Sequence, residues 1–90
     1  EADGAVSALE YLANICDENG IICIIGTLPP ITLASSLNGN AQKISAGIRT
    51  IAGVRIAENG DMTGSDIGSD GIHPNGGGQN KIAAAFISQF

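Results

Sequence analysis

The chain has no tryptophan, and its one tyrosine and two phenylalanines hold the aromatic share to 3% of 90 residues. Single-stranded nucleic acid is bound on stacking platforms of such rings, and Tyr11, Phe86 and Phe90 are too few and too scattered to make one. Cations are equally scarce. Lys43, Arg49, Arg55 and Lys81 stand against nine acidic residues, for a net charge of −5. No basic stripe is available to follow a phosphate backbone, so nucleic acid is disfavoured as a partner. No apolar run, 21–25 included, comes near the roughly 20 apolar residues of a membrane span, and no span is expected. Two cysteines are too few for a disulfide scaffold or a structural zinc site. Cys16 and Cys23 each sit in an apolar segment and read as small buried hydrophobes, with a local disulfide as the alternative. They leave the compartment open, the leaning being to a secreted, cell-surface or virion-associated protein.

Charged residues make up 14% and apolar ones 43% of the chain, against about 25% charged in an average domain. That balance argues against disorder. A mass of 9.0 kDa provides for one small core and not two. The chain opens on Glu1-Ala2-Asp3 and runs almost at once into a helical pattern, as expected of a piece cut from something longer.

Ala5, Leu9, Leu12, Ala13 and Cys16 repeat at the spacing of one helix face. Asp3 can cap that helix, and Asn19-Gly20 can end it. Ile21-Ile22-Cys23-Ile24-Ile25 is short, branched and does not alternate, which predicts a strand over 21–25 buried on both faces, as in parallel sheets. Pro29 and Pro30 force an extended exit. After a loop over 31–37, Asn38 or Asn40 is expected to cap a second helix whose inner face is Ala41, Ile44, Ile48, Ile51 and Ala52. Gly53 closes it. A second strand is predicted over 54–58, and a last helix over 79–90 with Ile82, Ala83, Phe86, Ile87 and Phe90 facing inward. Alternating helices and strands imply a parallel α/β layer structure. Two strands are nevertheless too few, because sheets usually have about four to six. The branched first strand calls for neighbours on both edges, so the missing strands are expected from another chain or from a preceding part of this one.

Between the second strand and the last helix, residues 59–78 hold seven of the thirteen glycines and the single histidine. A loop that long is usually functional or disordered. Asp70 and His73, three apart in a turn, can approach each other. A carboxylate on imidazole Nδ1 fixes the tautomer and leaves Nε2 as a base. Asn75 can cap the following helix. From the residues alone, three readings of His73 stay open: a structural histidine, an acid–base group, and a metal ligand. The last lacks the usual three protein ligands. Asp61, Asp66 and Asp70 among glycines suggest a calcium loop, but EF-hand spacing is not met. Gly76-Gly77-Gly78-Gln79-Asn80-Lys81 lacks the spacer and the hydroxyl residue of a phosphate loop.

Asp70-Gly71-Ile72-His73-Pro74-Asn75, followed by Gly78 and an alanine-rich closing helix, resembles the C-terminal signature of the SGNH (GDSL-type) esterase and lipase family. Gly26-Thr27-Leu28-Pro29-Pro30, after a buried strand, resembles the proline-containing loop that often precedes that signature. The resemblance spans essentially the whole chain. It implies that residues 1–90 are the C-terminal half of a single three-layer α/β/α, flavodoxin-like domain with a parallel sheet, completed by a missing N-terminal part or a second chain. His73 looks like the general base that takes a proton from a catalytic serine, and Asp70 like its orienting carboxylate. Thr27, Leu28, Pro29 and Ile72 would contact substrate, with neither cofactor nor metal required. The family's nucleophile lies in Gly-Asp-Ser, and two of its oxyanion donors are a glycine and the asparagine of Gly-x-Asn-Asp. Neither motif occurs here, and none of the seven serines follows Gly-Asp. The partner implied is a segment that carries that serine, glycine and asparagine. The substrate implied is a small acyl ester such as an acetylated sugar. The alternative is a non-catalytic α/β module whose Gly/Asp-rich loop binds a partner or calcium.

Overall fold

In the computed structural model, residues 2–90 are described. The elements run α1 (Ala2–Glu18), β1 (Ile24–Gly26), α2 (Ser35–Ile48), β2 (Arg55–Ala57), a 3-10 turn (Gly64–Asp66) and α3 (Gly76–Ile87). Helix α1 starts at Ala2, so Asp3 lies inside its first turn and not at the cap position expected of it, and there its charge suits the positive end of the helix dipole. It ends at Gly20, which takes a φ of 69° and lets Ile21 N–H return to the Cys16 carbonyl at 2.8 Å, the closing bond of a Schellman motif.

That exit turn corrects the first strand. Ile21 and Ile22 belong to it and are 57% and 66% exposed, while β1 starts only where β2 lies opposite. The strands pair in parallel, Ile24 with Arg55, Ile25 with Ile56 and Gly26 with Ala57. Helix α2 also starts earlier than its sequence suggests. Ala34 holds the cap position without a side-chain bond, and Asn38 accepts from Ile31 N–H at 2.9 Å. The buried face of α2 is Ala41, Ser45 and Ile48, and Ala52 is exposed beyond its end.

Successive residues of a strand face opposite sides, and β1 shows it. Ile25 packs with Ala13, Ile48 and Ile51 in the core built from α1 and α2. Gly26 faces the other way, against the Phe86 ring of α3. Helices therefore cover both faces of a two-stranded parallel sheet. The chain is a small mixed α/β unit with three helices among the described residues, none of them long and apolar enough to cross a membrane. The sheet is too narrow to cover α3 fully. Phe86 is half-buried, but Ala83, Ile87 and Phe90, expected to face inward, are exposed, the last two by 65% and 88%. Residues 59–78 are not structureless either. They contain the 3-10 turn and an antiparallel bridge between Ile67 and Pro74, and α3 begins within them.

Among the described residues no strand lies beside the second edge of β1. Cys23 C=O and Thr27 N–H bond to β2, so the parallel alternation turns the backbone groups of Ile24 and Gly26 outward. They open on a groove of about 890 Å³ lined by Leu9, Leu12, Cys16, Ile24, Leu28 and Ile44, among others. Cys16 and Cys23 are free half-buried thiols on its wall. Burial, and then the Cys16 neighbour, push the Cys23 thiol upward.

Candidate active site at the carboxyl ends of the strands

Open parallel sheets bind ligands at the carboxyl ends of their strands, and the polar groups of this chain gather there. Immediately after β1, the Thr27 hydroxyl donates to Glu58 Oε2 at 2.7 Å. It accepts from the backbone N–H of Asn59 at 2.7 Å and of Gly60 at 3.1 Å. Arg49 grips Glu58 from the end of α2 with Nε and Nη2, at 2.8 and 2.7 Å. That fork, together with the Thr27 hydroxyl and Gly60 N–H, holds the Glu58 carboxyl down at about 2, although partial burial opposes it. Thr27 is 2% exposed and its hydroxyl is fully engaged. This corrects its expected place on the substrate surface: its work is to tie the ends of β1 and β2 together.

The next residues hold the loop that leads to the histidine. Leu28 N–H donates to Ser45 Oγ at 2.9 Å. Thr32 and Leu33 N–H both donate to Gly71 C=O, at 2.8 and 3.1 Å. Gly71 takes a φ of 74°, and a Cβ there would meet the Leu33 backbone at 2.7–2.8 Å. Only glycine satisfies both conditions without strain. The proline loop and the histidine loop are thereby locked to each other through backbone atoms.

Residues 66–75 form a pin. Gly68 N–H donates to His73 C=O at 2.7 Å and Gly71 N–H to Gly68 C=O at 3.0 Å, with the Ile67–Pro74 bridge below. At its tip, Asp70 Oδ1 accepts the backbone N–H of Ile72 and of His73, each at 2.9 Å. Asp70 Oδ2 lies 2.6 Å from His73 Nδ1. The imidazole, then the two N–H groups, hold the Asp70 carboxyl far below the usual carboxylate range. It is therefore an anion wherever the protein is folded near neutrality, and the ring proton belongs on Nδ1. Nε2 has no hydrogen-bond partner among the described residues, and the His73 side chain is 80% exposed. Ile72, beside it, is 42% exposed, and Leu33, across the Gly71 contact, 60%. Asn75 caps α3 through Gly78 N–H at 3.0 Å, as its sequence position suggests.

Of the residues expected at the site, Asp70, Ile72 and His73 come together on the pin. Leu28 and Pro29 stand at the head of the loop that touches it, with Leu28 also lining the groove. No serine hydroxyl of the described residues bonds to Nε2. The three aspartates of the calcium reading do not assemble: Asp66 is bound to Lys81 and Asp70 to His73, and no group of three metal-ligating side chains occurs among the described residues. Sequence reasoning missed Ser45 and Gly71. Ser45 could have been found, since it shares a helix face with Ala41 and Ile48. The contact of Gly71 with Leu33 links residues too distant for any local pattern.

Comparison with protein-family models, with curated proteins and with solved structures gives no match.

Proposed function

We propose that this chain supplies the acid–base half of a serine ester hydrolase of the SGNH type, His73 acting as general base and Asp70 as its orienting carboxylate. The observation that carries the reading is the 2.6 Å contact of Asp70 Oδ2 with His73 Nδ1, combined with an open Nε2. In that reading Nε2 takes the proton of a serine hydroxyl as its oxygen attacks an ester carbonyl, and returns it to the departing alkoxide. Water then hydrolyses the acyl-serine by the same base, releasing the acid. Serine and oxyanion donors come from a preceding part of the polypeptide or from a second chain. The outward backbone groups of Ile24 and Gly26, above an apolar groove, suit a further parallel strand from that partner and with it a three-layer flavodoxin-like domain. Ile72 and Leu33 suit the acyl group of a small ester, such as an acetylated sugar.

The test is His73→Ala in the assembled protein. Its melt should match the parent, because the side chain is exposed. Hydrolysis of p-nitrophenyl acetate should fall by about 10⁴–10⁶, as when the histidine of a triad is removed. A variant that keeps a tenth of the parent rate sinks the assignment.

A further inference from the structure

The pin that presents His73 has its own anchor. Asp66, at the end of the 3-10 turn, is 6% exposed and its carboxylate meets Lys81 Nζ, from the second turn of α3, at 2.9 Å. The same Oδ2 accepts Thr63 N–H at 3.0 Å, so one oxygen closes the turn and ties it to the helix. The Asp66 main chain then holds the far leg of the pin, its carbonyl accepting Asn75 N–H at 2.9 Å. Gly78 lies so close to that carbonyl that a Cβ there would collide with it. One residue onward the bridge begins, and two residues onward Gly68 N–H holds the His73 carbonyl.

We propose that the Lys81–Asp66 ion pair is a positioning device that sets the base of the 66–75 pin and thereby keeps the His73 ring against Asp70. This rests on His73 being the base. Asp66 and Lys81 touch neither ring nor substrate and act through the backbone of the pin. Without the ammonium, the buried carboxylate is left one partner short and draws in water. The turn then shifts against α3, and the shift passes through the Asn75 and His73 backbone bonds to the tip, where a 2.6 Å contact tolerates little displacement.

The test reads the His73–Asp70 contact directly. Lys81→Met removes the ammonium, and Lys81 is more than half exposed, so the change leaves no cavity. If the pin loosens, the ring leaves Asp70, and the NMR signal of the Nδ1–H held against that carboxylate should broaden or vanish in the assembled protein. kcat should fall about tenfold with KM unchanged, and Lys81→Arg should restore both. Gly78→Ala, which alters no charge, should weaken the same signal. An Nδ1–H signal in Lys81→Met that matches the parent overturns the proposal. If the signal is lost but ester turnover proves indifferent to His73→Ala, the positioning stands and the assignment of the base fails.

Discussion

The carboxyl ends of the two strands and the open edge of β1 are built in opposite ways. At the strand ends, side chains and backbone groups are joined in hydrogen-bonded networks. Thr27, Arg49, Glu58 and Gly60 form one network, the pin around Asp70 and His73 another, and the Gly71–Leu33 backbone contact joins the pin to the proline loop. Along the β1 edge almost everything is apolar, and the backbone groups of Ile24 and Gly26 are unanswered. Patches of this kind mark interfaces, and an unpaired strand edge is a template for another strand. The difference teaches a division of labour. The polar end is organised by bonds within the chain itself, whereas the apolar side stays open, and it is there that the proposed partner would seat.

The comparison breaks most sharply within α1. Tyr11 and Leu12 are neighbours with similar exposure, 67% and 54%, yet Leu12 lines the groove and Tyr11 does not. Leu12→Asp would place a carboxylate where a strand is expected to dock, and burying an unpaired charge costs several kcal/mol. The assembled protein should lose about 3 kcal/mol or more of stability, or the equivalent in association, and its ester turnover with it. Tyr11→Asp should cost no more than about 0.5 kcal/mol, as exposed substitutions do. Thermal melts of both variants read the difference. Equal, small effects would mean that nothing seats on the β1 edge.

Much of this contrast is legible in the residues. Asp70-x-x-His73 with Asn75 behind it is a local pattern, and the turn it implies is the turn that forms. The helix face of α1, the Ala41 and Ile48 positions of α2 and the parallel pairing follow from periodicity and order. What local pattern misses is whatever depends on the opposite strand. Ile21 and Ile22 are as strand-prone as Ile24 and Ile25, but the helix exit claims them. Thr27 sits in a loop-like sequence and is buried because Glu58, Asn59 and Gly60 converge on its hydroxyl from thirty residues away. Ile87 and Phe90 continue the apolar face of α3 past the edge of a sheet only two strands wide. The Lys81–Asp66 pair is invisible for the same reason: the sequence around Asp66 reads as a string of turn residues.

Two glycines sharpen the comparison at a smaller scale. Gly20, at the exit of α1, and Gly71, on the pin, have nearly the same φ, 69° and 74°. Open space surrounds Gly20, whereas a Cβ on Gly71 would meet the Leu33 backbone at 2.7 Å. Gly20→Ala should cost about 1 kcal/mol, the strain of the left-handed region alone. Gly71→Ala adds a backbone collision and should cost about 2–3 kcal/mol. It should also slow ester turnover, because the proline loop and the pin must part. Denaturant melts compare the two, and equal costs would show that the two loops are not locked.

The smallest effect is the response to acid, and its sign follows from the carboxylates of the polar end. Glu58 titrates at about 2 when folded against an ordinary 4.5, chiefly because Arg49 grips it. Asp66 and Asp70 are lowered as well, by Lys81 and by His73. A group depressed by folding contributes stability above its unfolded pKa and loses that contribution as pH falls through the folded one. The contribution of Glu58 is therefore complete above about pH 4.5 and drains away toward pH 2. Its side chain is 39% exposed, and solvent screening keeps the contribution small. The loss should still be local. Between pH 5 and 2.5, amide protection factors, corrected for the intrinsic pH dependence of exchange, should fall first at Gly60, His73 and Asn75, while Ala13 and Ile48 in the α1–α2 core stay protected. Residue-resolved exchange at stepped pH checks this. Simultaneous loss at both places would mean that the polar end and the apolar core unfold as one unit, and the division between them would then describe composition and not energetics.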